Sequence, residues 1–105
     1  MPEIEIHLTE LFSGETVIVS AGGLEVFRGE GIRTEFTTSL ARIVKAQVPD
    51  GEQTVRVEVP EHRASAEARI DPSGLRFLVV SLPERRLRIE AVSEEDYRRE
   101  PRGYA

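Results

Sequence analysis

The chain has 105 residues, of which 39% are hydrophobic and 31% are charged, and its formal net charge is −5. This length fits one domain with one core, and the absence of cysteine excludes a disulfide framework, a thiolate zinc site and a cysteine nucleophile. The negative charge argues against partners that are nucleic acids or anionic membranes, because binding to either depends on an excess of lysine and arginine.

The first predicted strand lies close to the N-terminus. Ile4, Ile6 and Leu8 alternate with Glu5 and His7, which is the period of a half-buried strand. This alternation places His7 on the outer face, where we expect it to be solvated.

A hairpin is predicted next. The run from Thr16 to Ala21, TVIVSA, is apolar on both faces near its centre, as in an interior strand. Gly22-Gly23 predicts a type I′ turn, because both of its central positions need a positive φ, and Leu24 to Arg28 is the returning strand. Arg28-Gly29-Glu30-Gly31 predicts a second turn, and Ile32 to Thr38 alternates as a further strand.

The segment 39–48, SLARIVKAQV, fits two different elements. Its apolar residues recur at helical spacing and Ser39 is a suitable N-cap, which favours a short helix. Val44, Ala46 and Val48 also line one face at period 2, which favours a strand. We favour the strand and keep the helix as the alternative.

The clearest strand follows a proline-aspartate-glycine turn in QVPDGEQTVRVEVP. Val55, Val57 and Val59 form a wholly β-branched face, and Arg56 and Glu58 occupy the other face with opposite charges. This stretch therefore predicts a strand with one buried side.

Three more predicted strands complete the domain. They run from Ala64 to Ile70, from Leu75 to Leu82 and from Leu87 to Ala91, with proline-containing turns between them. The run LRFLVVSL is the most apolar in the chain and should be central. Turns recur roughly every eight to twelve residues, which predicts an all-β sandwich, immunoglobulin-like or transthyretin-like, with about seven to nine strands.

Read together, TVIVSAGGLEVFRGEG and VPDGEQTVRVEVP resemble PEGA-type and transthyretin-like β-sandwich modules. The resemblance covers roughly Glu15 to Leu82, and the segment Ser13-Gly14-Glu15-Thr16 stands where a Pro-Glu-Gly-Ala signature would be. Such modules are usually non-catalytic, so the resemblance implies a binding or spacer role.

The composition changes at the end of the chain. We expect a sandwich domain over residues 1–92 and a charged tail over 93–105, SEEDYRREPRGYA, which offers almost nothing apolar to bury. We expect this tail to be poorly ordered in the isolated monomer, and Tyr97 and Tyr104 are the apolar anchors by which it would dock on another protein or a sister subunit. The alternative, which we favour, is a solubilising terminus without a binding role.

One basic cluster is the main candidate for binding. Arg85, Arg86 and Arg88 suit an acidic peptide or a phosphate, because guanidinium groups pair with carboxylates and phosphates. We favour the alternative, in which Glu84 and Glu90, on either side of the cluster, and the acidic tail just beyond compensate its charge at the surface.

Catalytic and metal sites have little support in the sequence. His7 and His62 are the only histidines, and neither has a metal-ligand spacing or a neighbouring nucleophile; a site would need them to meet carboxylates such as Glu5 or Glu61. We therefore expect no metal and no cofactor.

The expected function is that of a non-catalytic binding or assembly module that contacts another protein or a sister subunit. Its candidate contact residues are Arg85, Arg86, Arg88, Tyr97 and Tyr104. The alternative is a small enzyme that uses aspartate, glutamate and histidine for acid-base chemistry. The acidic start MPEIEIHLTE lacks the basic and apolar parts of a secretory signal, which predicts a cytoplasmic location.

Overall fold

Eight β-strands form two packed sheets in the computed structural model, which describes residues 2–10, 12–35 and 40–93. The strands are Glu3–Leu8 (β1), Ser13–Ala21 (β2), Leu24–Arg33 (β3), Arg42–Gln47 (β4), Gln53–Val59 (β5), Ala64–Ile70 (β6), Phe77–Ser81 (β7) and Arg88–Val92 (β8). The predicted all-β sandwich is confirmed, with a strand number inside the expected range. No helix in the described part of the chain is long and apolar enough to cross a membrane.

The strand order is β4-β1-β7-β8 in one sheet and β3-β2-β5-β6 in the other. Neighbouring strands are antiparallel, except that β1 and β7 are parallel. The edge strands β6 and β8 contact each other on one side of the sandwich, and β3 and β4 do so on the other side.

The core lies between the two sheets and consists mainly of β-branched side chains. Val55, Val57 and Val59 of β5 have no exposed surface, as their alternation predicts. Ile6 of β1 and Leu78 of β7 are equally buried in the opposite sheet. Burying one such side chain stabilises the fold by roughly 1.5–3 kcal/mol, so this alternation supplies most of the driving force for packing.

The hairpin at Gly22-Gly23 is confirmed, but the second predicted turn is wrong. Gly22 and Gly23 have φ values of 59° and 86°, as a type I′ turn requires. The segment Arg28-Gly29-Glu30-Gly31 continues β3 as a bulged strand, in which the register to β2 shifts opposite these residues and Gly31 has a φ of 67°. Glycine in a strand marks a bulge as readily as it marks a turn.

Strand is the correct assignment for the ambiguous segment. Arg42–Gln47 pairs with β1 as β4, and Val44, Ala46 and Val48 are buried at period 2. The predicted strand from Ile32 to Thr38 is wrong in its described part, since its first two residues belong to β3 and Glu35 forms only an isolated bridge. Its remaining residues lie outside the described ranges.

The expected solvation of His7 is wrong, because His7 is only 5% exposed. The imidazole stacks on Phe77 of the neighbouring strand, with ring centroids 5.5 Å apart, and its Nε2 lies 3.1 Å from Glu5 Oε1. A strand residue that faces away from the core is therefore still covered when its neighbours are large.

Candidate binding site

A single-turn 3₁₀ helix from one sheet and a tight turn from the other meet at one end of the sandwich. The helix, Pro60–His62, connects β5 to β6, and the turn, Pro83–Arg85, connects β7 to β8. Each begins with a proline, whose fixed φ suits the first position of a helix or turn. Between them lies a pocket of about 320 Å³, called the basic pocket here, which is lined by His62, Arg63, Ala64, Ser65, Arg85, Arg86 and Leu87.

Positive charge dominates the lining of the basic pocket. Arg63, Arg85 and Arg86 contribute three guanidinium groups, and none of the described lining residues carries a carboxylate. None of the three forms an ion pair with any residue in the described ranges. Arg28 and Arg56, by contrast, each pair with a glutamate on the strand surfaces. The described lining of the pocket therefore offers charged hydrogen-bond donors to an anion.

In the described part of the chain, no ion pair joins Arg85, Arg86 or Arg88 to Glu84 or Glu90. The compensation of the cluster's charge at the surface stays a prediction, because the acidic residues of the tail lie outside the described ranges. Exposed carboxylates and guanidiniums that are close in sequence have little energetic reason to hold one geometry.

Arg88 is separated from the other two arginines of the predicted cluster. It lies at the start of β8 and lines a different cavity of about 320 Å³, together with Thr9, Glu10 and Glu90. The structure thus brings together Arg85 and Arg86, adds Arg63, and places Arg88 beside carboxylates. Tyr97 and Tyr104 lie outside the described residues.

The backbone of the basic pocket is strained. Arg63, Glu84 and Arg85 have φ values of 51°, 53° and 63°, and they are the only non-glycine residues with positive φ in the described ranges. Each such residue costs roughly 1–2 kcal/mol relative to a right-handed conformation. The two turns hold this geometry with backbone hydrogen bonds, from Arg63 N–H to the Pro60 carbonyl at 3.1 Å and from Arg86 N–H to the Pro83 carbonyl at 2.9 Å. Strain of this kind concentrates at functional sites.

A buried carboxylate anchors the first turn to β2. Glu15 is 8% exposed, and its Oε2 lies 2.9 Å from His62 Nε2. The Ser13 N–H donates to Glu15 Oε1 at 2.6 Å, and the Thr16 N–H donates to Glu61 Oε2 at 2.9 Å. Two side chains of the turn are therefore fixed to the start of β2, which holds the adjacent Arg63 at the pocket.

Opposing effects act on the pKa of Glu15. Burial raises the pKa of this carboxyl, but the hydrogen bonds from His62 and Ser13 lower it, and the result lies below the usual 4.5. The carboxylate is therefore the form that holds the turn at neutral pH.

Sequence reasoning missed Glu15 as a site residue and considered Glu61 as the partner of His62. Glu15 shares the inward alternation of β2 with Val17 and Val19, so a glutamate stands at a position that should be apolar. A charged residue on the inward face of a strand is the signal that would have identified a buried, partnered carboxylate.

The described residues around the pocket offer charged hydrogen-bond donors. No group of three or more histidine, cysteine, aspartate or glutamate side chains in the described ranges is placed to hold a metal ion. The guanidinium groups at the pocket are permanently charged donors, which recognise carboxylates in paired geometry.

Comparison with known proteins found no matching family model, no matching curated protein and no matching solved structure. The PEGA-like or transthyretin-like relationship stays a prediction from the sequence.

Proposed function

We propose that the protein is a non-catalytic binding module whose basic pocket takes an acidic segment of another protein. The observation that supports this most directly is the set of three guanidinium groups, on Arg63, Arg85 and Arg86, that no described carboxylate neutralises. The expected PEGA-like or transthyretin-like character agrees with a binding role.

The chemistry of the pocket favours carboxylates presented on a chain. A guanidinium group donates two parallel hydrogen bonds to one carboxylate, and three groups around one pocket suit several acidic side chains of one segment. The chain itself carries a net charge of −5, which repels an acidic partner in general. The basic pocket therefore also orients such a partner toward one end of the molecule.

The enzyme alternative depends on the His62 and Glu15 pair beside the pocket. Ser13 Oγ donates to the same Glu15 oxygen at 3.2 Å, so the carboxylate lies between the hydroxyl and the imidazole. Nucleophilic catalysis needs the imidazole to contact the hydroxyl directly, and for this reason we prefer binding. A turnover in broad substrate screening that is lost in His62→Gln would overturn the non-catalytic assignment.

A titration with a defined peptide tests the proposal. The probe is a capped, fluorescently labelled peptide of alternating valine and glutamate, and binding to the full chain is followed by polarisation. We expect the double variant Arg85→Gln, Arg86→Gln to bind roughly tenfold more weakly or worse, and wild-type binding to weaken as salt is added.

The matched control is Arg33→Gln, Arg42→Gln, which removes the same charge at the opposite edges, on β3 and β4. Equal weakening in both double variants would show that net charge and not the pocket determines binding. Absence of binding to the acidic peptide would contradict the proposal. A cytoplasmic location is part of this proposal and is checked by fractionating cells that express the full chain.

A further inference from the structure

Within the described residues, strand β6 pairs only with β5 and therefore lies at the edge of its sheet. It contacts β8 of the other sheet, but no backbone hydrogen bond joins these two strands in the described ranges. Gly22 N–H donates to the Thr54 carbonyl at 3.0 Å, so the backbone groups of Thr54 point toward β2 and away from β6. Arg69 is opposite Thr54 in the register, and its N–H and carbonyl consequently point away from β5. Because the backbone orientation alternates along a strand, the N–H and carbonyl groups of Ser65 and Glu67 also point away from β5.

This edge is more regular than that of β3, and it is longer than the edges of β4 and β8. β6 has seven residues without proline, and its pairing with β5 runs without a register shift. Edge strand β3 is bulged at three places, and the edge strands β4 and β8 have six and five residues. A regular edge of this kind is a template for an additional strand, whereas bulges protect an edge from such pairing.

The edge begins at the basic pocket. Ala64 and Ser65, the first residues of β6, line that pocket, and a second cavity of about 210 Å³ near the end of the strand is lined by Thr54, Glu67, Ala68 and Arg69. At that end Arg69 pairs with Glu52, so the arginines without a described carboxylate partner lie at the pocket end of the strand. An incoming strand of alternating apolar and acidic residues is therefore complementary in charge to the pocket end of this edge.

We propose that the partner is an extended acidic segment that adds to β6 as a further strand, with one of its carboxylates in the basic pocket. This inference rests on the proposed function, because the same arginines recognise the segment. Main-chain hydrogen bonds to Ser65, Glu67 and Arg69 hold the segment, and the pocket selects its charge.

A proline at position 67 tests strand addition. The N–H of Glu67 faces away from β5, so Glu67→Pro removes an outward donor and obstructs the edge without breaking the ladder to β5. The matched control is Glu67→Ala, which removes the same side chain and its ion pair with Arg56 but keeps the N–H. Both are titrated as full chains with the labelled valine-glutamate peptide, after their unfolding transitions confirm a folded domain.

We expect Glu67→Pro to weaken peptide binding roughly tenfold or more and Glu67→Ala to bind at least as tightly as the wild type, because it removes a negative charge from the edge. Peptide binding that needs Arg85 and Arg86 but is unchanged in Glu67→Pro would overturn strand addition and leave the proposed function standing. No binding to any of the chains would overturn the proposed function itself. Sedimentation that shows a dimer of the wild type, lost in Glu67→Pro, would assign the edge to a second copy and contradict a separate partner.

Discussion

Glu15 determines how the first turn of the basic pocket is held. We predict that Glu15→Gln lowers the free energy of unfolding by about 1–3 kcal/mol at neutral pH, because hydrogen bonds from His62 and Ser13 lose their charged acceptor. Urea unfolding measures this difference. The exposed Glu25, which pairs with Arg28, supplies the control Glu25→Gln, for which we expect little change.

The pH dependence of this effect follows from the direction of the Glu15 pKa. Since the folded-state pKa lies below 4.5, the carboxylate contributes stability above that pH, and the contribution is lost as pH falls through the folded-state value. The difference between wild type and Glu15→Gln should therefore shrink in acid. A difference that is constant from neutral to acidic pH would contradict the assigned role.

Arg63 and Arg85 combine a strained backbone with a side chain at the pocket. We predict that Arg63→Gly leaves stability unchanged or raises it by up to about 1 kcal/mol, because glycine accepts a positive φ. Arg86 is extended, with a φ of −116°, so Arg86→Gly should lose about 0.5–1 kcal/mol. Thermal unfolding compares the two, and equal losses would show that the αL conformation stores no strain. Both variants should bind the acidic peptide more weakly.

Among the elements, β7 is an interior strand of its sheet that contributes buried side chains to the core. It lies between β1 and β8, and Leu78 has no exposed surface. We predict that Leu78→Ala lowers the free energy of unfolding by about 2–5 kcal/mol through lost burial and a cavity. Leu24→Ala is the control, because Leu24 is 73% exposed and should change stability by about 0.5 kcal/mol or less. Similar losses at both positions would contradict the core described above.

The elements also show where sequence reasoning succeeds. The alternation of Val55, Val57 and Val59 is local, so it predicts β5 and its buried face correctly. The glycines at 29 and 31 fit a turn and a bulge equally well, and only the register against β2, set by the rest of the sheet, decides for the bulge. The parallel pairing of β1 with β7 joins segments far apart in the chain, and no local sequence pattern predicts it.

At the scale of the whole molecule, residues of the site that are neighbours in sequence could be predicted, whereas those brought together by the packing of the two sheets could not. Arg85 and Arg86 are adjacent in sequence, so their cluster is visible without a structure. Arg63 joins them only because β6 and β8 lie at corresponding edges of the two sheets. Arg88 leaves the cluster because it belongs to β8 and lines another cavity.

The proposed binding of an acidic partner depends on how charge is distributed over the molecule. A chain with a net charge of −5 keeps three arginines together at one end without a described carboxylate partner. Such a dipolar arrangement predicts oriented, salt-sensitive association with an acidic partner.

The most direct test is a map of amide chemical shifts in the ¹⁵N-labelled full chain during titration with the valine-glutamate peptide. The account predicts that the largest changes fall on His62 to Ser65 and Arg85 to Leu87, continue along the outward amides of β6, and weaken at high salt. Changes centred on β3 and β4, or no changes at saturating peptide, would contradict the assignment of the basic pocket as the binding site.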